Sequence, residues 1–398
     1  MTVPNQPKTK SETRLVHAGR NAKEQKGMIN PPVWHASTVL FPTMADLEAS
    51  ASRRMNKGQI NYGRVGTPTS YAFEDAVAEL EGGYRSVVAS SGLAAITTTL
   101  MTYAETGAHF LMTDSAYGPT RAYCDSVLKR LGVEVTYYDP LIGAGIKTLM
   151  KPNTRLVYME SPGSLTFEVQ DVPAIAAAAR AGGAVSVIDN TWSAGLFFKP
   201  LTQGVDISVQ AGTKYLVGHA DAMMGVITST EAEYKKLRTM AYMLGQCAGP
   251  DDIYFALRGM RTLAVRLQRH QESALTVAKW LQKRPEVERI LHPALPDDPG
   301  HILWKRDFSG SCGLFGVVLK RTSPQAVAAM LDGMSLFGMG FSWGGFESLI
   351  IPAHPETQRS AKPWQAEGPL IRLHIGLEAV EDLIQDLEAG LNRLQAAP

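Results

Sequence analysis

Three polar residues stand at or just after the ends of short apolar runs, where a strand would present them for chemistry. Tyr117 follows HFLMTD, Asp189 lies within AVSVIDN, and Lys214 follows DISVQAG. Lysine is rarely buried without a partner, and an unpaired buried carboxylate is costly. A simple ion pair between Lys214 and Asp189 would satisfy both residues. Alternatively, each of the three side chains could belong to an ordinary surface turn or helix cap.

A fourth element, SSGLAA at residues 90–95, places a glycine at the predicted start of a helix. The free N–H groups and the dipole of a helix N-terminus suit a phosphate, although an ordinary strand-to-helix turn has the same sequence features. The glycine fingerprint of dinucleotide sites and the Walker A pattern are both absent. A phosphate loop, an aromatic ring, a buried acid and a lysine together are what a pyridoxal phosphate site requires.

These residues need a sheet that brings strand ends together. Short apolar strands alternate with helical segments between residues 66 and 255, which predicts a doubly wound α/β domain. Residues 1–65 lack periodicity and predict an extended N-terminal arm. One long helical pattern runs over residues 253–287. Residues 256–398 predict a smaller α+β domain that contains most of this helix and strands near GLFGVVLK and LIRLHIGLE, and that ends with a helix over residues 379–394.

The composition of the 398-residue chain excludes several classes of protein. A net charge of +1 gives no electrostatic argument for nucleic acid or an acidic membrane surface. The histidines lack metal-ligand spacing, so no metal site is expected. Three separated cysteines and a polar N-terminus without an apolar core predict a cytoplasmic protein with reduced thiols and no signal peptide.

The order of the motifs is more specific than any one of them. The chain resembles the Cys/Met-metabolism family of pyridoxal phosphate enzymes, and within it the bacterial cystathionine β-lyases, through NYGRVGTPT, SSGLAA, AYGP, VIDNTW, ISVQAGTKYLVGHADAMMG, LRGMRTLAVRL, HPALP, WKRDFSGSCGLF, FSWGGFESLI and LIRLHIGLE. The resemblance implies fold type I, the fold of the aspartate aminotransferase superfamily. It also implies β-elimination of L-cystathionine to homocysteine, pyruvate and ammonia, and cleavage of other cysteine S-conjugates. A cystathionine or methionine γ-lyase, or a cystathionine γ-synthase, is the alternative.

The resemblance also implies roles for individual residues around the cofactor. Lys214 would bind pyridoxal phosphate covalently and move protons, with Tyr117 as a second candidate donor to the leaving sulfur. Asp189 would pair with the ring nitrogen, and Tyr117 would stack on the ring. The residues expected to contact the phosphate are Gly92, Leu93 and Thr213, joined by Tyr62 and Arg64 of a neighbouring subunit.

The resemblance assigns a further set of residues to the amino-acid substrate. Arg372 would bind the α-carboxylate, and the residues expected to assist it are Ser342, Trp343, Tyr62 and Tyr242. The shared sites imply a dimer, and the family implies a homotetramer. Ala211 departs from the pattern, because many family members have a serine there that supplies one more hydroxyl to the phosphate.

Overall fold

The computed structural model describes residues 9–53, 55, 56 and 58–397. Over these residues the larger of two sheets has seven strands in the order β1-β7-β6-β5-β4-β2-β3. The strands β2 to β6 are mutually parallel, whereas β7 runs antiparallel to both β1 and β6. The bounds are β1 Arg85–Ala89, β2 His109–Thr113, β3 Glu134–Tyr138, β4 Thr154–Glu160, β5 Val185–Asp189, β6 Ile207–Gln210 and β7 Gly225–Ser229.

Helices cover both faces of this sheet, as the fold type I expectation requires. Adjacent strand residues point to opposite faces, so Phe110 and Val187 join one buried cluster while Leu111 and Ile188 join the other. The helices of this part of the chain are α1 Ser11–His17, α2 Met44–Ser52, α3 Pro68–Glu81, α4 Gly92–Tyr103, α5 Gly118–Tyr123, α6 Val172–Ala181, α7 Glu231–Met243 and α8 Pro250–Met260.

A second sheet of four antiparallel strands in the order β10-β11-β9-β8 forms the C-terminal part. Its bounds are β8 Val287–Leu291, β9 Leu314–Leu319, β10 Leu349–Ala353 and β11 Leu370–His374. Helices α9 Leu263–Leu281, α10 His301–Asp307, α11 Pro324–Asp332 and α12 Val380–Ala396 complete this region. A separate apolar cluster formed by α9, α11, α12 and the sheet is its core. In the part of the chain that the structure describes, no helix is long and apolar enough to cross a membrane.

The structure confirms the predicted strands of the large sheet and differs from the sequence expectations in two places. The expected extended arm contains the short helices α1 and α2, and its residues 1–8 lie outside the described residues. The long helix expected from residue 253 onward is divided into α8 and α9 at Arg261–Thr262. The division follows Gly259, where a Cβ would lie only 2.3 Å from the carbonyl oxygens of Leu216 and Val217, so α8 packs directly on the chain that follows Lys214.

Candidate active site

Lys214 lies four residues beyond the end of β6, in a turn that leads back to β7. Its Nζ donates a hydrogen bond of 2.5 Å to the Ser342 hydroxyl and lies 5.3 Å from the centre of the Trp343 ring. Burial lowers the pKa of the lysine to about 8, helped by the positive charge of Arg372 and opposed by Asp189. A lysine with a pKa near neutrality is available as a base or a nucleophile.

Asp189 ends β5, the strand beside β6, as the sequence predicted. Its Oδ1 accepts hydrogen bonds from the Thr191 amide at 3.0 Å and the Thr191 hydroxyl at 2.5 Å. Thr191 in turn accepts from the Ala211 amide at 2.9 Å, which ties the end of β5 to the segment before Lys214. Burial raises the pKa of Asp189 against these hydrogen bonds. Lys214 donates to Ser342 instead, so the simple ion pair that the sequence left open does not form.

Glu160 is a second acid at this edge of the sheet, and the sequence reasoning missed it. It ends β4 and is in register with Asp189 on β5, so both side chains extend from the same face. Its Oε2 accepts a 2.8 Å hydrogen bond from the Tyr117 amide. Burial, with the neighbouring Asp189 charge, raises its pKa well above the ordinary value. An acid near the end of the apolar run TRLVYMES, at residues 154–161, was the available signal.

Tyr117 and the start of α4 supply an aromatic face and free amides. The Tyr117 side chain is exposed and precedes α5, which begins at Gly118. At α4 the Ser91 hydroxyl accepts from the Ala94 amide, while the Gly92 and Leu93 amides have no acceptor among the described residues. A Cβ on Gly92 would lie 2.5 Å from the Ala211 Cβ, so only glycine fits there.

Thr213 is less available to a phosphate than the sequence suggested. Its hydroxyl donates to the Met224 carbonyl at 3.1 Å and accepts from the Met224 amide at 3.0 Å. The same carbonyl also accepts from the Thr213 amide at 3.1 Å. These contacts fix the return of the chain from Lys214 to β7, and the role of Thr213 at the phosphate stays a prediction.

Arg372 lies on β11 of the C-terminal sheet, and its positive charge is close enough to lower the pKa of Lys214. Its Nη2 donates to the Ser342 carbonyl at 2.9 Å. Burial lowers its pKa to about 10, and within the described residues no carboxylate forms an ion pair with it. A partly buried guanidinium without an acid partner is suited to an anionic ligand, and its planar fork matches a carboxylate.

Tyr62, Arg64 and Tyr242 do not join Lys214 within the single chain. They line a separate cavity of about 370 Å³ together with Trp34 and Arg238. Arg64 Nη1 donates to the Tyr242 carbonyl at 2.8 Å, and its guanidinium lies 4.6 Å from the centre of the Tyr242 ring. Their expected contribution to the cofactor and substrate of a neighbouring subunit therefore stays a prediction.

These residues fit pyridoxal phosphate. The Asp189 carboxylate has a free oxygen and lacks an ion-pairing lysine or arginine among the described residues, so a protonated ring nitrogen would supply the missing partner. Gly92 and Leu93 offer amides that a phosphate can accept from. Lys214 can bind the aldehyde, and Tyr117 can cover the ring. Among the described residues no group of three or more histidine, cysteine, aspartate or glutamate side chains could hold a metal ion.

Comparisons with known proteins agree with this geometry. The model of the family described as Cys/Met metabolism PLP-dependent enzymes matches residues 12–392. The cystathionine β-lyase MetC of Escherichia coli is 47% identical over 97% of this chain and 99% of its own length. The cystathionine β-lyase of Salmonella typhimurium is 47% identical over 96% and 98%. The crystal structure of cystathionine γ-synthase from Xanthomonas oryzae pv. oryzae, in complex with aminoacrylate and cysteine, matches with a TM-score of 0.88 at 32% identity, covering 98% and 99%.

Proposed function

The chain belongs to the family of Cys/Met-metabolism PLP-dependent enzymes, and from this premise we propose that it cleaves L-cystathionine by β-elimination. The products are homocysteine, pyruvate and ammonia. The observation that carries the proposal is the cluster of Lys214, Asp189 and Arg372, in which the charges of Arg372 and Asp189 act on the Lys214 amine, supported by 47% identity to cystathionine β-lyases over nearly the whole chain. The γ-lyase and γ-synthase alternative is less well supported, because the compared γ-synthase structure is only 32% identical.

Binding and orientation of the substrate fall to the C-terminal part of the chain. Arg372 is proposed to form two parallel hydrogen bonds to the α-carboxylate of the substrate with the N–H groups that Ser342 does not use. The Trp343 ring packs between Lys214 and Tyr215 and would cover one side of a substrate bound to Arg372. A substrate whose carboxylate is fixed by Arg372 presents its Cα near the Lys214 amine.

Proton movement is assigned to Lys214. Pyridoxal phosphate supplies a sink for the electrons that Cα retains when its proton leaves. The Lys214 amine, with its pKa lowered to about 8, takes that proton at Nζ. The Cβ–S bond then breaks with its electron pair on sulfur, and Lys214 or Tyr117 donates a proton to the homocysteine thiolate. The remaining three-carbon fragment takes up one water molecule to give pyruvate and ammonia.

Asp189 would stabilise the positive charge of a protonated ring nitrogen. The Thr191 amide and hydroxyl bind one of its oxygens, which leaves the other available to such a nitrogen. The Glu160 carboxyl accepts a hydrogen bond from the Tyr117 amide and so holds the Tyr117 backbone in place. Since burial and the Asp189 charge raise the pKa of Glu160, its carboxyl is proposed to hold its proton and so avoid a second negative charge beside Asp189.

A homotetramer built from dimers that share active sites is proposed as the working assembly. Its support is that Tyr62 and Arg64 lie in a cavity apart from Lys214, so a neighbouring copy would have to bring them to the cofactor. A cytoplasmic location is also proposed, because the three cysteines are unpaired, as is usual for proteins of reducing compartments.

The function is tested by incubating the purified protein with L-cystathionine and resolving the products by mass spectrometry. The proposal expects pyruvate and homocysteine in equal amounts. Accumulation of 2-oxobutyrate and cysteine would contradict it and assign the protein to the γ-lyases. A run with O-succinyl-L-homocysteine and L-cysteine tests the synthase alternative, for which cystathionine would be the product.

A further inference from the structure

The turn at residues 342–347 contacts Lys214, and its first residue has a strained backbone conformation. Ser342 has a φ of 94° and Gly344 a φ of 88°. The positive φ is accessible to glycine but costly for serine, so surrounding contacts must hold Ser342 in place. The strain is located where Ser342 accepts the hydrogen bond from Lys214 Nζ.

Gly344 packs directly on the main chain of the lysine. A Cβ built on Gly344 would lie 3.0 Å from the Lys214 carbonyl carbon and 3.1 Å from its Cα and Cβ. A shift of this turn towards Lys214 would therefore bring Gly344 too close to the lysine backbone, and it would also alter the hydrogen bond from the Lys214 amino group to Ser342.

His374 holds this turn from the opposite side. It follows Arg372 by two positions on β11, so both side chains extend from the same face of the strand. Arg372 donates to the Ser342 carbonyl at 2.9 Å, and the Gly344 amide donates to His374 Nε2 at 3.1 Å. His374 Nδ1 lies 3.1 Å from the Glu347 carbonyl. Arg372 and His374, on the same face of β11, thus form hydrogen bonds to successive parts of the turn.

The partners fix the tautomer of His374. An amide can only donate, so Nε2 must be the unprotonated acceptor, and a carbonyl can only accept, so Nδ1 must carry the hydrogen. The ring is buried and lies 5.3 Å from the ring of His270 and 6.0 Å from that of Tyr215. Burial lowers the pKa of His374 well below its usual range, and the nearby His270, Arg372 and Lys214 add to the effect.

We propose that His374 is a positioning residue. By accepting the hydrogen bond from the Gly344 amide, it holds the turn in place. The turn in turn fixes the positions of Ser342 and of the carboxylate-binding Arg372 relative to Lys214. The inference rests on the proposed function to the extent that the ligand is an α-amino acid. It adds a residue that itself touches neither the substrate nor the cofactor.

Two substitutions separate positioning from simple stabilisation. In His374→Gln the side-chain oxygen can occupy the position of Nε2 and accept from Gly344, while the bond to Glu347 is lost. In His374→Asn the side-chain nitrogen can occupy the position of Nδ1 and donate to Glu347, while the Gly344 amide loses its acceptor. Each variant loses one hydrogen bond, so a purely structural role predicts similar thermal stability and similar ligand affinity for both.

The assay is a titration of each holoenzyme with glycine, followed through the visible absorption band of the bound cofactor. Glycine has the α-amino and α-carboxylate groups but no β-carbon, so the titration reports binding and not elimination. His374→Asn is expected to raise the Kd for glycine by about 10-fold, because a buried amide is left without an acceptor. His374→Gln is expected to remain within about 3-fold of the wild type, by the same reasoning.

The buried His292 offers a matched control, because its Nδ1 accepts from the Ala294 amide at 3.2 Å beside the Phe315 ring, away from the turn. In His292→Gln the Ala294 amide loses its acceptor, so this variant loses one hydrogen bond away from the site and should leave the Kd for glycine unchanged. Equal Kd values for the two His374 variants, or a larger loss in His374→Gln, would overturn the positioning role. Failure of the proposed function is distinguishable, because it would show as a wild-type protein that binds glycine but releases no pyruvate from L-cystathionine.

Discussion

Glu81 is a buried acid beneath the strands that carry the site, and its titration gives a prediction with a calculable magnitude. It ends α3 and accepts hydrogen bonds from the Gln210 side chain and, at 3.1 Å, from Asn190 Nδ2. Asn190 directly follows Asp189, and Gln210 ends β6, so Glu81 links the two strand ends. Burial raises its pKa to about 7 from an ordinary 4.5, although these hydrogen bonds oppose the shift.

The sign of the pH effect follows from this difference. The folded protein holds the Glu81 proton more tightly than the unfolded chain does, so the carboxyl lowers the free energy of unfolding as the pH rises from about 4.5 through 7. At about 1.4 kcal/mol for each pKa unit, the loss amounts to about 3 kcal/mol at pH 8. Glu81→Gln does not titrate and removes this dependence, whatever constant offset its altered hydrogen bonding adds.

The assay is urea unfolding of the cofactor-free wild type and Glu81→Gln at pH 4.5 and pH 8, at one protein concentration. The variant should gain about 3 kcal/mol relative to the wild type between the two pH values. Glu79→Gln, on the exposed face of the same helix, controls for the loss of one glutamate. A difference between Glu81→Gln and wild type that stays constant with pH would refute the reasoning.

Three further substitutions test the site itself. Lys214→Ala should abolish turnover and the visible cofactor band, and a variant that keeps both would exclude Lys214 as the cofactor-binding lysine. Arg372→Leu should raise KM about 100-fold with less effect on kcat, since two charge-assisted hydrogen bonds of about 1.5 kcal/mol each are lost. Arg306→Leu removes a surface ion pair instead and should leave KM unchanged. An unchanged KM in Arg372→Leu would contradict the carboxylate site. Glu160→Ala should weaken cofactor binding about 5-fold in a fluorescence titration because the Tyr117 amide loses its acceptor, whereas Glu160→Gln should retain it; equal affinities in both variants would argue against this anchor.

The alternation of apolar strands and helices was enough to predict the large sheet, because its strands, apart from the edge strand β3, are largely buried on both faces. It could not predict that β7 inserts between β1 and β6 and runs antiparallel to them, since direction and order depend on long-range pairing. The break between α8 and α9 was also hidden, because apolar periodicity continues through Arg261–Thr262. Only the close packing of Gly259 on the chain after Lys214 explains it.

The positions of the candidate site residues were predictable because they stand at or just after the ends of apolar runs. Asp189 ends its strand, and Tyr117 and Lys214 follow theirs within a few residues. Glu160 ends β4 in the same way as Asp189 ends β5, so it had the same signal in the sequence. His374 and Glu81 could not be found from the sequence, because their importance depends on partners far along the chain, the turn at Gly344 and the side chain of Gln210.

The direction of bond cleavage is the central claim, and an isotope label in the substrate tests it most directly. L-Cystathionine labelled with ¹³C in its three-carbon half would be incubated with the holoenzyme, and the products followed by ¹³C NMR. Cleavage of the Cβ–S bond predicts that the label appears in pyruvate, with unlabelled homocysteine. Label that appears in cysteine, with unlabelled 2-oxobutyrate, would contradict β-elimination.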